Sequence, residues 1–394
     1  MSRPASRWLV AAAWLLGAAG AAHAVQDCDL DGAPVNVSNG NTTAGKTGLI
    51  RCKDRDTGEV QREQQLQNGV FMGLVRYYEK GKLLKEHSVN AKGNMDGRAR
   101  EFVPATGQVL RDAVYSDGSE VGLVRGFYPS GQLRRLSFAS SEAGSSGERA
   151  YVEYTERGQL SALRCADKPV LAPAVDDAKL CGFASGGAPS QVELFDSKGT
   201  VRVRVSYAAG KRVRNENLYD NGKPQTQDEI IGNQRTERRF SSEGVKRREV
   251  LWLLVERGAV KQREQEFSEQ GSLVRDQRWN ATGEPLSDDS FYLNGQPRSK
   301  SIYAGTGEAR TIDIAQFHDN GQRSMQGRYI AAGRSTRQIP VGTHQSFSDK
   351  GVLLAESVYD DKGRVTRERA FDESGKLQRD DEVFEDGSRK AFAK

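Results

Sequence analysis

Three histidines follow the first two dozen residues, His87, His318 and His344, and they lie far apart, with no HExxH and no pair at ligand spacing. A zinc centre needs closely spaced Cys or His ligands, so no metal is expected. No phosphate loop or dinucleotide fingerprint occurs, and no cofactor is expected either. No serine sits in a Gly-x-Ser-x-Gly elbow. The acidic doublets Asp288-Asp289, Asp360-Asp361 and Asp380-Asp381 supply carboxylates of the kind that cleave glycosidic bonds. Nothing in their spacing selects one pair, two of the doublets read as lying at or beside turns, and Asp is an ordinary turn residue. The expectation is a protein that is not an enzyme.

Four cysteines, Cys28, Cys52, Cys165 and Cys181, read as disulfides if the compartment is oxidising. Three pairings are open, and proximity favours Cys28–Cys52 and Cys165–Cys181. A bridge over loops of this length contributes about 3 kcal/mol. The compartment is read from the N-terminus. Arg3 and Arg7 precede an uncharged apolar stretch from Trp8 to Ala19, and Ala22-His23-Ala24 supplies small residues at the positions a signal peptidase reads. This predicts a secretory signal peptide cleaved after Ala24. The stretch is too short to span a bilayer. The chain is expected in the periplasm or secreted, and its alanine-rich leader has a bacterial character.

Recognition groups are easier to find than catalytic ones. Basic residues cluster at Arg134-Arg135, at Lys211-Arg212 with Arg214, at Arg235 with Arg238-Arg239, and at Lys246-Arg247-Arg248. They form either the solvated face of a sheet, paired with glutamate across strands, or a basic stripe facing anionic lipid, glycan or an acidic protein. Beside them Val250-Leu251-Trp252-Leu253-Leu254-Val255 is the one strongly apolar run beyond the leader. It is either a strand covered by a neighbour or an exposed patch anchored on Trp252, with Leu251 and Leu253 beside it. Trp279 is the other tryptophan outside the leader.

Composition sets the frame for these residues. Of 394 residues only 36% are hydrophobic, while 42 are glycine, which is too polar for several thick cores. The formal charge of +5 includes Arg3 and Arg7 and excludes a strongly cationic polynucleotide binder; no nucleic acid is expected. The numbers imply a thin, repetitive, well-solvated fold.

Periodicity supplies the elements. Gly351, Gly363, Gly375 and Gly387 each stand 12 residues after the last, as do Gly271, Gly283, Gly295 and Gly307. Asn221-Gly222, Asn294-Gly295, Asn320-Gly321, Asp117-Gly118 and Asp386-Gly387 predict tight hairpins with positive φ. Between turns the residues alternate, most cleanly in Val201-Arg202-Val203-Arg204-Val205. Each period is one strand and one turn, and the fold class is all-β: an extended antiparallel meander of strand-turn repeats. Aromatics that precede the turns, such as Phe240, Phe267 and Tyr359, are expected to stack from hairpin to hairpin.

Two segments carry the pattern in fuller form. Asn68–Glu86 and Gly118–Phe138 resemble the variant MORN repeat, with Gly73, Tyr77, Tyr78, Gly81 and Leu83 in one copy and Gly122, Phe127, Tyr128, Gly131 and Leu133 in the other. The resemblance covers most of residues 60–394. It implies a likeness to YwqK-type antitoxins, whose label implies neutralising a toxin by binding it. The expected organisation is a signal peptide over 1–24, a disulfide-tied cap over 25–60, and a first repeat block over 61–164. A disulfide-closed, proline-rich loop over 165–189 and a second block over 190–394 follow. Serine- and glycine-rich Ser137–Gly147 reads as a flexible loop, and Ala331–Val341 as a further interruption. The function expected is recognition of a protein partner, a toxin by the resemblance, on an extended β surface. The alternative is an envelope-surface module binding anionic lipid or glycan. The candidate contacts are Trp252, Leu251, Leu253, Arg235, Arg238, Arg239, Lys246, Arg247 and Arg248.

Overall fold

The structure, a computed structural model, describes residues 26–142, 147–183, 188–306, 310–331 and 338–393. The leader with its cleavage site, Gly307, and parts of the 137–147 and 331–341 segments lie outside the described residues. By its contacts the described chain divides into two compact units between Glu148 and Arg149.

Two long, open antiparallel meanders account for nearly all of the fold, as the periodicity predicts. The first sheet contains β1 (Gln26–Leu30), β2 (Ala33–Val35), β3 (Gly48–Asp54), β4 (Val60–Gln67), β5 (Val70–Glu79) and β6 (Lys82–Val89). It continues with β7 (Met95–Phe102), β8 (Val109–Ser116), β9 (Ser119–Phe127), β10 (Leu133–Ser140), β11 (Gly147–Tyr154) and β12 (Leu160–Arg164). A short helix, α1 (Asp177–Leu180), precedes the second sheet. That sheet begins with β13 (Val192–Phe195), β14 (Val201–Ala208), β15 (Lys211–Leu218), β16 (Pro224–Ile231), β17 (Gln234–Phe240) and β18 (Lys246–Val255). Next come β19 (Gly258–Phe267), β20 (Leu273–Trp279), β21 (Pro285–Phe291), β22 (Pro297–Ala304), β23 (Thr311–Phe317) and β24 (Arg323–Ala331). It ends with β25 (Gln338–Phe347), β26 (Leu353–Tyr359), β27 (Val365–Phe371), β28 (Leu377–Val383) and β29 (Arg389–Ala393). The second sheet is strictly sequential, whereas in the first the order ends β3-β1-β2.

That single departure builds a core. Because β2 lies outside β1, the chain must cross back to reach β3, and the crossing segment lays Val37 against Leu30, Val35, Ile50, Cys52 and Leu66. Burying each of the larger side chains contributes roughly 1.5–3 kcal/mol. Cys28 and Cys52 face each other directly in the β1–β3 register, with Cα atoms 4.0 Å apart, and their disulfide pins that register.

The Cys165–Cys181 disulfide closes the segment after β12. This segment is packed against its neighbours. Leu171 and Cys181 are buried, and the Asp177 carboxylate accepts from the Val170 and Leu171 N–H groups at 2.6 and 2.9 Å. The β14–β15 turn is bonded to it, with the Gly210 N–H donating to the Cys181 carbonyl at 2.8 Å. A side chain at Gly182 or Gly210 would overlap the backbone at Tyr207 or Ala166. Two expected loops are shorter than predicted. β10 runs through Ser140 with Ser137 buried, and β25 already includes Ile339 and Val341.

The turns depart from expectation in a consistent way. Positive φ at both turn residues occurs at Asp117-Gly118, Asn68-Gly69 and Lys80-Gly81. At Asn221-Gly222, Asn294-Gly295, Asn320-Gly321 and Asp386-Gly387 only the glycine is left-handed. Here the glycine N–H bonds back three residues, as Gly222 does to Tyr219 at 2.9 Å, and the Asx side chain accepts the N–H two residues on, as Asn221 does from Lys223 at 3.0 Å. The result is a turn closed by a glycine bulge, which shifts the register between Asn217 and Leu218. This geometry frees the asparagine amide to reach the next turn on the same edge. Asn221, Asn294 and Asn320 donate to the carbonyls of Ser242, Asp319 and Asp349, each at 2.8 Å. The Tyr219 and Tyr292 hydroxyls donate alongside to the Phe240 and Phe317 carbonyls at 2.9 and 2.8 Å.

Cross-strand register gives each sheet a charged ladder. In the first sheet Asp29, Arg51, Glu63, Arg76, Glu86, Arg100, Asp112 and Arg125 are successive partners, alternating in sign. In the second sheet one row of partners begins Glu193, Arg204, Glu216, Gln227, Arg238, Glu249, Gln265, Asp276, Asp289 and Lys300. The row continues Ala315, Gln326, Gln345, Glu356, Arg369 and Asp380. The face that carries this row is the ladder face, and the other is the reverse face.

Candidate interaction surface

The candidate basic residues are largely engaged inside the sheet. Arg235 makes two hydrogen bonds to Asp228 at 2.9 Å and approaches Glu237 at 2.7 Å. Arg238 meets Glu249 at 2.7 Å, and Lys246 meets the same carboxylate at 3.4 Å. Arg248 donates to Glu264 at 2.6 Å. Arg239 is exposed and Arg247 half-buried, and neither forms an ion pair with a described residue. The Asp228 partner raises the affinity of Arg235 for its proton. Burial pushes the Glu249 carboxyl up, but Arg238 and Lys246 outweigh it and hold it below its ordinary value.

The apolar run is divided between faces. Leu251 and Leu253 share the ladder face with Glu249, while Val250 and Trp252 lie on the reverse face. Val250 is buried, Leu251 to Leu254 are partly buried, and Val255 alone is exposed. The run is therefore neither one covered strand nor one exposed patch. Lys261 reaches across from β19 so that its ammonium lies 5.7 Å from the Trp252 ring and 4.8 Å from the Trp279 ring, within cation–π range. Glu264 holds the same ammonium at 2.7 Å. The Trp252 indole N–H is buried without a hydrogen-bond partner among the described residues.

Residue types that could do chemistry are likewise built into the sheet. His87 stacks on Tyr77 at 5.9 Å, and its affinity for a proton is lowered by burial and then by Lys85 and Arg62. His318 Nε2 lies 3.0 Å from the Phe347 carbonyl. His344 fits edge-on between Tyr329 and Tyr359, at 4.8 and 4.7 Å, in space left by Gly327. The turn aromatics Phe240, Phe267 and Tyr359 do not stack on one another as expected; Tyr359 meets the His344 ring. Basic side chains cover rings instead, as Lys246 covers Phe267 at 4.5 Å. Among the acidic doublets only Asp360-Asp361 occupies a turn; Asp288-Asp289 and Asp380-Asp381 are mid-strand, with adjacent residues on opposite faces.

One carboxylate pair escapes a reading based on doublets. Asp276 and Asp289 face each other across β20 and β21. Burial works upward on Asp276, but hydrogen bonds from Arg263 and Arg278 outweigh it and hold the carboxyl low. Burial pushes Asp289 up, and Asp276 adds to that push. The signal was present in the sequence. Arg263–Asp276, Arg275–Asp288 and Arg367–Asp380 are all pairs 13 residues apart, close to the repeat period.

The fold and surface define an open antiparallel β-repeat protein. No protein-family profile matches the chain. No curated protein matches it either. Among solved structures, the crystal structure of TcdB2-TccC3 is similar at 12% identity and TM-score 0.16, over 88% of this chain and 20% of that one. A Photorhabdus luminescens Tc holotoxin pore gives 13% identity and TM-score 0.17 over the same shares. A crystal structure of a eukaryotic initiation factor gives 12% identity and TM-score 0.18, covering 89% of this chain and 87% of that one. The chain thus spans about 20% of the length of the toxin-complex chains. At these scores none of the likenesses carries an argument about fold or function. The two disulfides fit an oxidising extracellular or periplasmic environment, and no described helix is long and apolar enough to cross a membrane.

Proposed function

We propose that this chain is a non-enzymatic binding protein, exported behind a signal peptide ending at Ala24, that recognises a partner on the open faces of its repeat sheets. The observation that carries the reading is the use made of reactive residue types. Cysteines form disulfides, histidines pack on tyrosines or carbonyls, and acidic residues pair with arginine across strands. What the sheets then offer a partner is surface rather than chemistry. The likeness to variant MORN repeats makes a protein the first partner to test, with toxin neutralisation as its specific form.

Electrostatic adsorption to anionic lipid or glycan is the less favoured reading, because Arg235, Arg238, Lys246 and Arg248 are already paired in the sheet. The test is a pull-down with the full chain, disulfides intact, from the native envelope fraction at low and high salt. A single stoichiometric protein retained at both salts, and lost with Trp252→Ala, is the expected result. Recovery of anionic lipid alone, released by high salt and by neutralising Arg239 and Arg247, would overturn it.

A further inference from the structure

Counting from the ladder residues reveals a second register in the second sheet. Three positions after Glu249, Asp276, Lys300, Gln326 and Glu356 stand Trp252, Trp279, Tyr303, Tyr329 and Tyr359. They occupy β18, β20, β22, β24 and β26, every second strand. An odd offset turns all five to the reverse face. The ring contacts agree, since Lys261 lies over both tryptophans and His344 touches both Tyr329 and Tyr359. Alternate strands are about 9.6 Å apart, so the rings form a comb at that step along about 38 Å.

The surface between these rings is unusual for a chain that is 28% charged. Over β22 to β26 the reverse face presents Ser299, Ser301, Ile314, Gln316, Ser346 and Ser357, and none of its residues is charged. The ladder face of the same strands carries Lys300, Asp313, Arg328 and Glu356. Exposed Leu286, at 46%, stands between Trp279 and Tyr303 on the same face, beside the Arg275–Asp288 pair.

The polar ends of the rings are also free. The hydroxyls of Tyr78, Tyr115, Tyr207, Tyr219 and Tyr292 all donate to a carboxylate or carbonyl within the chain. Those of Tyr303, Tyr329 and Tyr359 bond no described residue.

We propose that the reverse face of β18–β26 binds a neutral, extended glycan of the chitin or cellulose type, laid across the strands with alternate sugar rings against the five aromatics. Charge complementarity selects this occupant. An anionic polymer meets no unpaired cation there, because Glu264 holds Arg248 and Lys261 and Asp288 holds Arg275, whereas over β22–β26 an uncharged polyol meets hydroxyls, amides and ring faces. In such a chain every second sugar presents the same face, and a disaccharide matches the two-strand step. The inference rests on the chain being a binding protein, not on the identity of any protein partner.

Trp252 and Trp279 are the only tryptophans outside residues 1–25, and both lie on this strip, so intrinsic fluorescence reports on it directly. The experiment titrates the full, disulfide-intact chain with chitohexaose and cellohexaose, with their disaccharides, and with a polyanionic glycan. At least one hexasaccharide should give a saturable shift, about tenfold tighter than its disaccharide and unchanged by high salt. Tyr303→Ala and Leu286→Glu should each weaken it about tenfold. Leu286→Glu adds charge at an exposed site and leaves the fold intact, and Ile302→Ser, 59% exposed on the ladder face, should leave binding unchanged. The inference is overturned if neither hexasaccharide binds, if binding follows the polyanion and is lost in salt, or if Leu286→Glu binds like the parent. Failure of the glycans while a protein partner is still captured removes this inference alone; failure of both removes the binding reading as well.

Discussion

Behind its charged ladder the first sheet carries the row Leu30, Ile50, Gln64, Val75, His87, Ala99 and Ala113. The corresponding row in the second sheet reads Val205, Asn215, Asp228, Glu237, Val250, Glu264, Gln277, Asp288 and Ser301. The strand-turn rule is the same, but the means of cohesion differ. After Leu218 only Val250 and Ile312 are buried apolar residues among those described, while Glu264, Asp276, Asp380 and Asp381 are buried acids. The first sheet has its own ion-paired ladder, but to it adds apolar burial beneath a crossing segment. Most of the second is held by backbone ladders, turn-to-turn hydrogen bonds and ion pairs between neighbouring strands. A sheet held in that way can leave its reverse face uncovered, which a binding surface requires.

Acid should separate the two regions most strongly. Asp372 is held at about 2 by the Ser374 hydroxyl and the Lys376 N–H. Arg367 holds Asp380 low, and Asp276 and Glu264 are also held below their ordinary values despite burial. Each of these carboxyls binds its proton less readily folded than unfolded. Each therefore adds stability above its unfolded value and gives it up as pH falls through the carboxylate range toward about 2. Carboxyls such as Asp112 and Asp117 are held low in the first sheet too, but the apolar core there does not titrate, so hydrogen exchange across 219–393 should lose protection at a higher pH than across 26–136.

Ile50→Ala, at a side chain 2% exposed, should cost about 3 kcal/mol in denaturant unfolding. Leu377→Ala, at 38% exposure, should cost less than about 0.5 kcal/mol. Equal losses would erase the comparison. Arg263→Met leaves Asp276 with Arg278 alone and should cost about 1–2 kcal/mol, much of it recovered in a double mutant with Asp276→Asn. Additivity in that cycle would mean the ladder pairs are incidental. The smallest effect has the opposite sign. Asp289 holds its proton more tightly folded than unfolded, so its stabilising contribution is present at low pH and lost as pH rises through its folded value. Asp289→Asn should therefore raise the neutral-pH unfolding free energy slightly, by a few tenths of a kcal/mol, with no gain in acid.

Turn glycines and alternation made the meander legible, since both are local properties of the chain. The candidate surface was legible only in part. Trp252 was visible as an outlier, but its separation from Leu251 and Leu253 follows from which face each residue takes. Pairing of the basic clusters with glutamate across strands was one of the two readings the sequence left open, but which acid each meets depends on register: Arg248 meets Glu264 from 16 residues away. The aromatic comb was hidden for a related reason. Its members recur on every second strand, through turns of unequal length between β22 and β25, so no fixed spacing links Tyr303, Tyr329 and Tyr359. The crossing of the 36–47 segment follows from the β3-β1-β2 order, which no local pattern encodes.

Segment-resolved hydrogen exchange of the intact chain at neutral pH, at low and at high salt, tests the central claim most directly. Screening should weaken the half-buried ion pairs, so protection across 219–393 should fall with salt while that across 26–136 holds or rises. Equal responses in the two regions, or a salt-labile first sheet beside a salt-stable second, would contradict the account.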